Sequence, residues 1–354
     1  MGRMLALAAL PLGIRTTVLD PTSDACAAAA ADQIIAPFDD PAALGQLAAR
    51  SDVITFEFEN VPSAAVDALA AEHKVAPSAR ALAASQDRLV EKQLFQSLGI
   101  GTAEFCTVDT GAELETAFAR LGPLVIKTRR FGYDGKGQAR VQSPADFADA
   151  LAVIGEGDAI AEGLVRFDRE LSQVSVRAGD GSVAHYPLAQ NVHRNGILHA
   201  SVAPAPDVSE ELAQTARSYS ESLVTHLGYV GVIAVELFEV GGQLLANEFA
   251  PRVHNSGHWT IDGAVCSQFE NHMRAVSGLP LGSTTLITSC VMLNLIGDTP
   301  PLPALAAIPG LRVHLYGKQA RPGRKVGHVT LLQMDGNFEQ HRLAAEQLID
   351  QVGA

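Results

Sequence analysis

Apolar and polar positions along the chain repeat with two periods, one helical and one strand-like, and the first part of the chain switches between them. Residues 3–11 are rich in Ala and Leu and predict a helix, and 16–20 predict a short strand ending in Asp20. A helix over 41–50, a strand over 52–59 (DVITFEFE), a helix over 62–73 and a short strand over 74–77 follow. Helices alternating with strands predict parallel βαβ units and hence a doubly wound sheet. Such a fold normally opens with a strand and a Gly-rich turn ahead of its first helix, whereas this chain starts inside the helix at Met1-Gly2-Arg3. A helix over 82–98 closes at Gly99, a residue suited to the left-handed conformation past a helix end.

Beyond this point the pattern is α+β. Strand 123–127 (PLVIK) leads into a polar, Gly-rich turn, RRFGYDGKGQ, and a short strand at 139–141. A helix over 144–153 and strands over 159–162, 170–177 and 182–190 come next, then a long amphipathic helix over 208–227. Strands 230–240 and 244–250 bracket Gly241-Gly242, and strands over 288–296, 311–316 and 327–334 precede a closing helix over 338–351. The 354-residue length exceeds what one core usually fills. The expected organisation is a doubly wound domain over 1–92, a central domain over 93–285 in which 120–190 forms a cover, and a small β-rich domain over 286–354.

Composition narrows the function classes. A formal net charge of −13 argues against a nucleic-acid binder, because duplex binding draws on Lys and Arg. No apolar run approaches the roughly 20 residues that span a bilayer. Cys26, Cys106, Cys266 and Cys290 lie far apart, in neither a metal-like nor a disulfide-like spacing, which suits a reducing, cytoplasmic compartment. Twenty arginines stand against six lysines. Lys127, Lys136, Lys318 and Lys325 fall in Gly-rich or strand-edge contexts, whereas Lys74 and Lys92 stand in helix-like polar surroundings. Where Arg is the default cation, a Lys points to a need for a compact charge.

Three stretches concentrate candidate chemistry. In Gly132-Tyr133-Asp134-Gly135-Lys136-Gly137-Gln138, three glycines leave backbone N–H groups able to wrap an anion, and Lys136 adds charge. It is neither a Walker loop nor a Rossmann fingerprint, and by itself D-G would equally serve a hairpin. Lys127, at the end of the preceding strand, adds a cation suited to phosphates. Glu236 and Glu248 interrupt apolar strands. With a three-residue loop at 241–243 they fall opposite each other, which is unfavourable unless a cation lies between them. The third stretch, Ala250-Pro251-Arg252-Val253-His254-Asn255-Ser256-Gly257-His258-Trp259, sets anion-binding groups beside that pair. In strand 52–59, Phe56 and Phe58 share one face and Thr55, Glu57 and Glu59 the other. Tyr316-Gly317-Lys318 with Arg321-Pro322-Gly323-Arg324-Lys325 forms a basic pocket suited to a phosphate, or a solvated turn.

Taken together these residues resemble the ATP-grasp superfamily, and within it the N5-carboxyaminoimidazole ribonucleotide synthetase family. The likeness rests on DRLVEKQLF, GYDGKGQ, YPLAQNVHRNGIL, GYVGVIAVELF, NEFAPRVHNSGHWT, SQFENH and YGKQARPGRKVGH, spread from residue 1 to about 330. It implies an ATP-grasp fold, with ATP, Mg²⁺ (or Mn²⁺), bicarbonate and aminoimidazole ribonucleotide as ligands, and a homodimer. By position, the nucleotide contacts implied are Arg88, Lys127, the loop from Gly132 to Gln138, Glu162, Gly163, Leu164, Val165, Glu170, His193, Asn247 and Glu248. Glu162 and the residues after it would read the adenine and ribose. Glu236 and Glu248 match the metal ligands. Arg252, His254, Asn255 and Lys318 match the surroundings of the transferring phosphate and bicarbonate. Glu57 (rather than Glu59), Tyr133, Asp134, Lys136 and Lys318 match the ribonucleotide site, with Arg324 and Lys325 on its 5′-phosphate.

The implied chemistry has two steps, formation of carboxyphosphate from bicarbonate and ATP, then carboxylation of the ribonucleotide's exocyclic amine with Asp134 as the base. One departure stands out. The family opens with a strand and a loop like G-G-G-Q-L-G-R-M, and Met1 falls where those proteins carry Leu. The expectation is that a leucine codon able to initiate was taken as the start and that the natural protein is longer. Rival readings are another carboxyphosphate- or acylphosphate-forming ligase, or a nucleotide-binding homologue without turnover.

Overall fold

A computed structural model of the chain describes residues 1–130, 132, 137–155 and 158–352. The chain opens with helix α1 (Gly2–Ala9) and strand β1 (Thr17–Leu19), which pairs in parallel with β2 (Asp32–Ile34). Helix α2 (Pro41–Ala49) is capped by Asp40, whose carboxylate accepts from the Ala43 N–H at 2.8 Å. Helices α3 (Ser63–Ala70), α4 (Ala79–Ser85) and α5 (Arg88–Ser97) follow.

Four expectations fail in this region. Residues 52–59 form no ladder; a single parallel bridge joins Ile54 to Val75, which also leaves 74–77 without a strand. A strand needs a hydrogen-bonded neighbour as well as alternation, and only the Ile54 backbone finds one. Phe56 is buried while Phe58 is 46% exposed, so the two rings do not share a face. The helix expected over 82–98 is two helices, because Asp87 turns its side chain to the Leu89 N–H at 3.1 Å and caps α5 instead of continuing α4. Gly99 does take the left-handed conformation at the end of α5, with φ +70°.

A four-stranded antiparallel sheet comes next. It contains β3 (Phe105–Val108), β4 (Leu124–Thr128), β5 (Gln138–Val141) and β6 (Ala159–Gly163), in the order β3-β6-β4-β5. Helices α6 (Gly111–Leu121) and α7 (Phe147–Ile154) cover it with a core of Leu114, Leu124, Ile126, Val141 and Ile154. Neither β3 nor α6 was expected, although Thr110 and Glu113 form the capping box that announces α6.

Among the described residues the large sheet has nine strands. The first are β7 (Arg169–Arg177), β8 (Val183–His185), β9 (Ala189–Arg194) and β10 (Ile197–Ala203), so the strand expected over 182–190 is divided between β8 and β9. After helix α8 (Glu210–His226) come β11 (Gly231–Val240) and β12 (Gln243–Ala250), then helices α9 (Thr260–Gly263) and α10 (Gln268–Val276). Strand β13 (Cys290–Ile296), helix α11 (Leu302–Ala306), strands β14 (Leu311–Leu315) and β15 (Lys325–Leu332) and helix α12 (Phe338–Asp350) complete the chain. The strand order is β12-β11-β7-β9-β10-β13-β15-β14, with β8 on β7. The C-terminal strands therefore extend the central sheet, through β10 and β13, rather than forming a sheet of their own. The segment 120–190 likewise divides, with β4 to β6 in the small sheet and β7 to β9 reaching into the large one.

Both faces of β11 are covered, which explains its nearly continuous apolar run. Val232 and Ala234 pack with Leu5 and Ala9 of α1, Phe269 of α10 and Trp259. Ile233, Val235 and Leu237 pack on the other face with Leu223 of α8, Phe95 of α5 and Phe249. Phe95 is fully buried and meets Phe249 edge-on at 5.9 Å, so it ties α5 to β12. Phe95→Ala is expected to lower stability by about 3–5 kcal/mol through transfer and cavity costs. Urea unfolding checks this; a loss near that of an exposed substitution would show that α5 is not anchored by this ring.

Candidate active site

A cavity of about 1480 Å³ runs between the small sheet, the large sheet and the N-terminal segment. Its centre is the β11–β12 hairpin. Val240 pairs with Gln243 across Gly241-Gly242, whose φ angles of +56° and +79° suit a two-residue turn. The three-residue loop expected from the sequence is thus wrong, yet Glu236 does face Glu248. The ladder slips by one residue: Leu237 pairs with Ala246 and Glu236 with Glu248, leaving Asn247 as a bulge. Before the bulge, Leu244 and Ala246 belong to the α8-side core. After it, Phe249 takes that side and Ala250 the other. Without Asn247 as an extra residue, Glu248 would point into the α8-side core.

Each carboxylate has a basic neighbour. His254 Nε2 lies 3.1 Å from Glu236 Oε1, and Arg88 Nη1 lies 3.0 Å from Glu248 Oε2. Burial works against ionising Glu236, but the His254 hydrogen bond and the charges of His193 and Arg252 overcome it and hold the carboxyl at about 2. Two hard oxygen donors opposed in one cavity, with the Asn255 amide buried and unpartnered in its wall, suit a divalent cation such as Mg²⁺ that takes its other ligands from water and phosphate. Among the described residues no group of three or more His, Cys, Asp or Glu gathers as a self-sufficient metal site.

Behind the hairpin lies a cluster that the sequence pattern misjudged. Lys92 is 1% exposed rather than on a solvated helix face, and its Nζ lies 3.2 Å from Glu162 Oε2. Lys127 Nζ lies 3.1 Å from Glu162 Oε1. Burial would raise the Glu162 pKa, but the two ammoniums beside it lower it to about 2. The side chain expected to read adenine and ribose is thus engaged by lysines. Burial lowers the Lys127 pKa, with Lys92 and Arg88 adding to it against Glu162. Glu91, also unforeseen, accepts from the Phe249 N–H at 2.7 Å. Burial, reinforced by Glu248, pushes its carboxyl up to about 8.

The remaining expected residues divide as follows. Arg88 Nη2 donates to the Gly132 carbonyl at 3.1 Å, and Thr128 N donates to the Gly137 carbonyl at 2.8 Å, closing the β4–β5 loop. Gly137 has φ +68°, and a Cβ there would meet Thr128 Oγ1 at 2.7 Å. Tyr133, Asp134, Gly135 and Lys136 lie outside the described residues. Gln138, Gly163, Leu164, Val165 and Asn247 line the cavity, as does the hydrogen-bonded pair Glu170–His193. Phe167 and Phe238, stacked at 4.7 Å, line the same cavity and were not anticipated.

Arg252 donates to Glu59 Oε2 through Nε at 3.0 Å, and His254 Nδ1 meets Ser256 Oγ at 2.8 Å. Glu57, at 3.3 Å from the Met1 amino group, lines the cavity together with Glu59, although 52–59 is not a strand. Lys318, Arg324 and Lys325 line the cavity as well, with Lys318 Nζ 5.5 Å from the Tyr316 ring centre. Elsewhere, Ser175, His185 and Glu221 are joined by hydrogen bonds of 2.8 and 3.0 Å in the order of a nucleophile, base and acid. Ser175 is fully buried within β7, so no substrate reaches it.

Comparison with known proteins agrees with this geometry. The ATP-grasp domain family matches residues 93–269, the ribonucleotide synthetase preATP-grasp domain residues 1–86, and the phosphoribosylaminoimidazole carboxylase C-terminal domain residues 290–339. The N5-carboxyaminoimidazole ribonucleotide synthase of Pseudomonas aeruginosa is 49% identical over 352 residues, covering 99% of this chain and 97% of that protein. The crystal structure of the N5-carboxyaminoimidazole ribonucleotide synthetase of Thermus thermophilus superposes with a TM-score of 0.94 at 47% identity, over 98% of this chain and 95% of that one. The Aspergillus clavatus enzyme, crystallised with ADP and 5-aminoimidazole ribonucleotide, gives 0.90 at 33% identity over 100% and 96%.

The Glu91 carboxyl yields a pH prediction. Its folded pKa of about 8 exceeds the unfolded value of about 4.3, so the native state holds a proton that the unfolded chain has lost. Its contribution is therefore most favourable below the unfolded pKa and declines as pH rises towards 8. Glu91→Gln is expected to flatten that part of the stability–pH curve and to raise stability at pH 8. Thermal unfolding between pH 5 and 8 checks this; parallel curves for the two proteins would refute it.

Proposed function

The chain belongs to the N5-carboxyaminoimidazole ribonucleotide synthase family of ATP-grasp ligases, and from this we propose that it carboxylates 5-aminoimidazole ribonucleotide with bicarbonate and ATP, in de novo purine synthesis. The products are N5-carboxyaminoimidazole ribonucleotide, ADP and phosphate. One observation carries the reading. A single cavity is lined by Lys127, Asn247 and the Glu236–Glu248 pair together with Lys318, Arg324 and Lys325. That arrangement suits a nucleotide and a phosphorylated co-substrate meeting at one carboxylate pair.

In this reading Arg88, Lys127 and the loop from Gly132 to Gln138 hold the ATP phosphates. The backbone of residues 162–165, with Glu170, His193 and Asn247, holds the nucleoside. Glu236 and Glu248 would bind Mg²⁺, which supplies charge neutralisation between the transferring phosphates. Arg252, His254, Asn255 and Lys318 surround bicarbonate. The guanidinium of Arg252, oriented by Glu59, faces the charge that develops as bicarbonate attacks the γ-phosphate. Ser256 orients His254, whose other ring nitrogen meets Glu236. Glu57, Tyr133 and Lys136 bind the ribonucleotide, Arg324 and Lys325 take its 5′-phosphate, and Asp134 accepts the proton of the exocyclic amine. The small sheet excludes water, which would otherwise destroy carboxyphosphate. We assign the active form as a cytoplasmic homodimer on the family's precedent.

The deciding assay is ADP release from ATP and bicarbonate with and without aminoimidazole ribonucleotide, with the product identified by mass. Strong stimulation with formation of the carbamate is the expected result; ADP release indifferent to the ribonucleotide refutes the assignment. Arg252→Ala is expected to lower kcat by about a hundredfold or more, with ADP binding retained. An unchanged kcat would remove Arg252 from the transfer step.

A further inference from the structure

Helix α5 presents three side chains towards the small sheet. Asp87 receives Arg129 Nη2 at 2.7 Å, Arg88 reaches the Gly132 carbonyl, and Lys92 meets Glu162. Arg88 and Lys92 also face the large sheet, Arg88 through the Glu248 carboxylate and Lys92 through the backbone of the bulge itself. Lys92 Nζ donates to the Asn247 carbonyl at 2.7 Å, within the bulge that turns Glu248 towards Glu236. One buried ammonium thus holds β6 of the small sheet and the bulge of the large sheet together. A backbone carbonyl in a bulge has no ladder partner of its own, and a buried carboxylate without a cation is costly. Lys92 answers both requirements.

The charge balance of the cluster points further. Two ammoniums, Lys92 and Lys127, share the one carboxylate of Glu162. Lys127 stands at the cavity and Lys92 behind it. When an anion draws Lys127 away, Glu162 keeps a counter-ion only if Lys92 remains.

We propose that Lys92 is a positioning residue for nucleotide binding: it keeps Glu162 paired so that Lys127 is released to the phosphates, and it holds the Asn247 bulge that aims Glu248. The inference rests on the reading of this cavity as a nucleotide site. In a protein without Lys92, every phosphate that recruits Lys127 leaves Glu162 buried and unpaired, so binding is opposed by the carboxylate itself. Removing that carboxylate should then restore binding, which a purely structural lysine would not permit.

The test is a double-variant cycle read by ADP titration in a calorimeter, with Lys92→Met, Glu162→Gln and the two combined. Lys92→Met is expected to weaken ADP by about tenfold, and Glu162→Gln in that background to recover most of the loss. Affinity of Lys92→Met equal to that of the unaltered protein overturns the proposal, as does a double variant no better than Lys92→Met alone. If Lys92→Met does not fold, the double variant must both fold and bind ADP, since the stranded carboxylate is the cause of the damage; failure of either overturns it. Failure of the unaltered protein to bind ADP would instead count against the nucleotide reading of the cavity.

Discussion

The site depends on one extra residue in one strand. Asn247 has no partner opposite it on β11, and this slip reverses the side to which the rest of β12 points. Leu244 and Ala246 can then fill the α8-side core while Glu248, two residues on, turns towards Glu236 instead of following them inside. An unbulged strand would offer the choice between a buried, unpaired Glu248 and an exposed Leu244 and Ala246, and either is costly. The bulge allows a strand that must be apolar on both faces to present a carboxylate at one point. It is held there by the Lys92 ammonium on its carbonyl.

Around this hairpin, ionisation is decided by pairing more than by burial. Glu162 and Glu236 are both buried enough for desolvation to oppose their charge, yet cationic partners keep each carboxyl at about 2. Glu91, a residue of the same helix as Lys92, lacks sufficient compensation and rises to about 8. Helix α5 therefore carries the Lys92 amine and an acid with a raised pKa side by side. Its Asp87 cap fixes the start of the helix, and Phe95 packs its other end against Phe249. Small changes in how this helix seats would move Arg88, Glu91 and Lys92 together.

Much of the site was legible because chemistry out of place is conspicuous. Carboxylates inside VIAVELF and LLANEFA, a loop with three glycines, and a run of Arg, His, Asn and Ser after a strand all break the local hydrophobic pattern. The facing of Glu236 and Glu248 was obtained through two compensating differences, a turn shorter by one residue and a bulge longer by one. Lys92 and Glu91 were not legible, because on an amphipathic helix a polar residue ordinarily marks the solvent side. Here the polar stripe of α5 faces a second, equally polar wall. The stacked Phe167 and Phe238 were hidden for a related reason, since nothing local distinguishes a cavity ring from a core ring.

Local rules settled helices α1, α2, α3, α7, α8 and α12, the strands with long apolar runs, the existence of the hairpin at Gly241-Gly242 and the helix end at Gly99, because capping, periodicity and positive φ act over a few residues. They also set out the residue types that a nucleotide, a hard cation and a second phosphate require. Tertiary structure alone decided that 52–59 is not a strand, since a ladder needs a neighbour that local sequence does not contain. It decided that the C-terminal strands join the central sheet through β10. It also decided that Lys92, Lys127 and Glu162, far apart in the chain, share one buried ion cluster. Charges are placed by the low-dielectric surroundings that several elements build together, and no single segment of sequence records those surroundings.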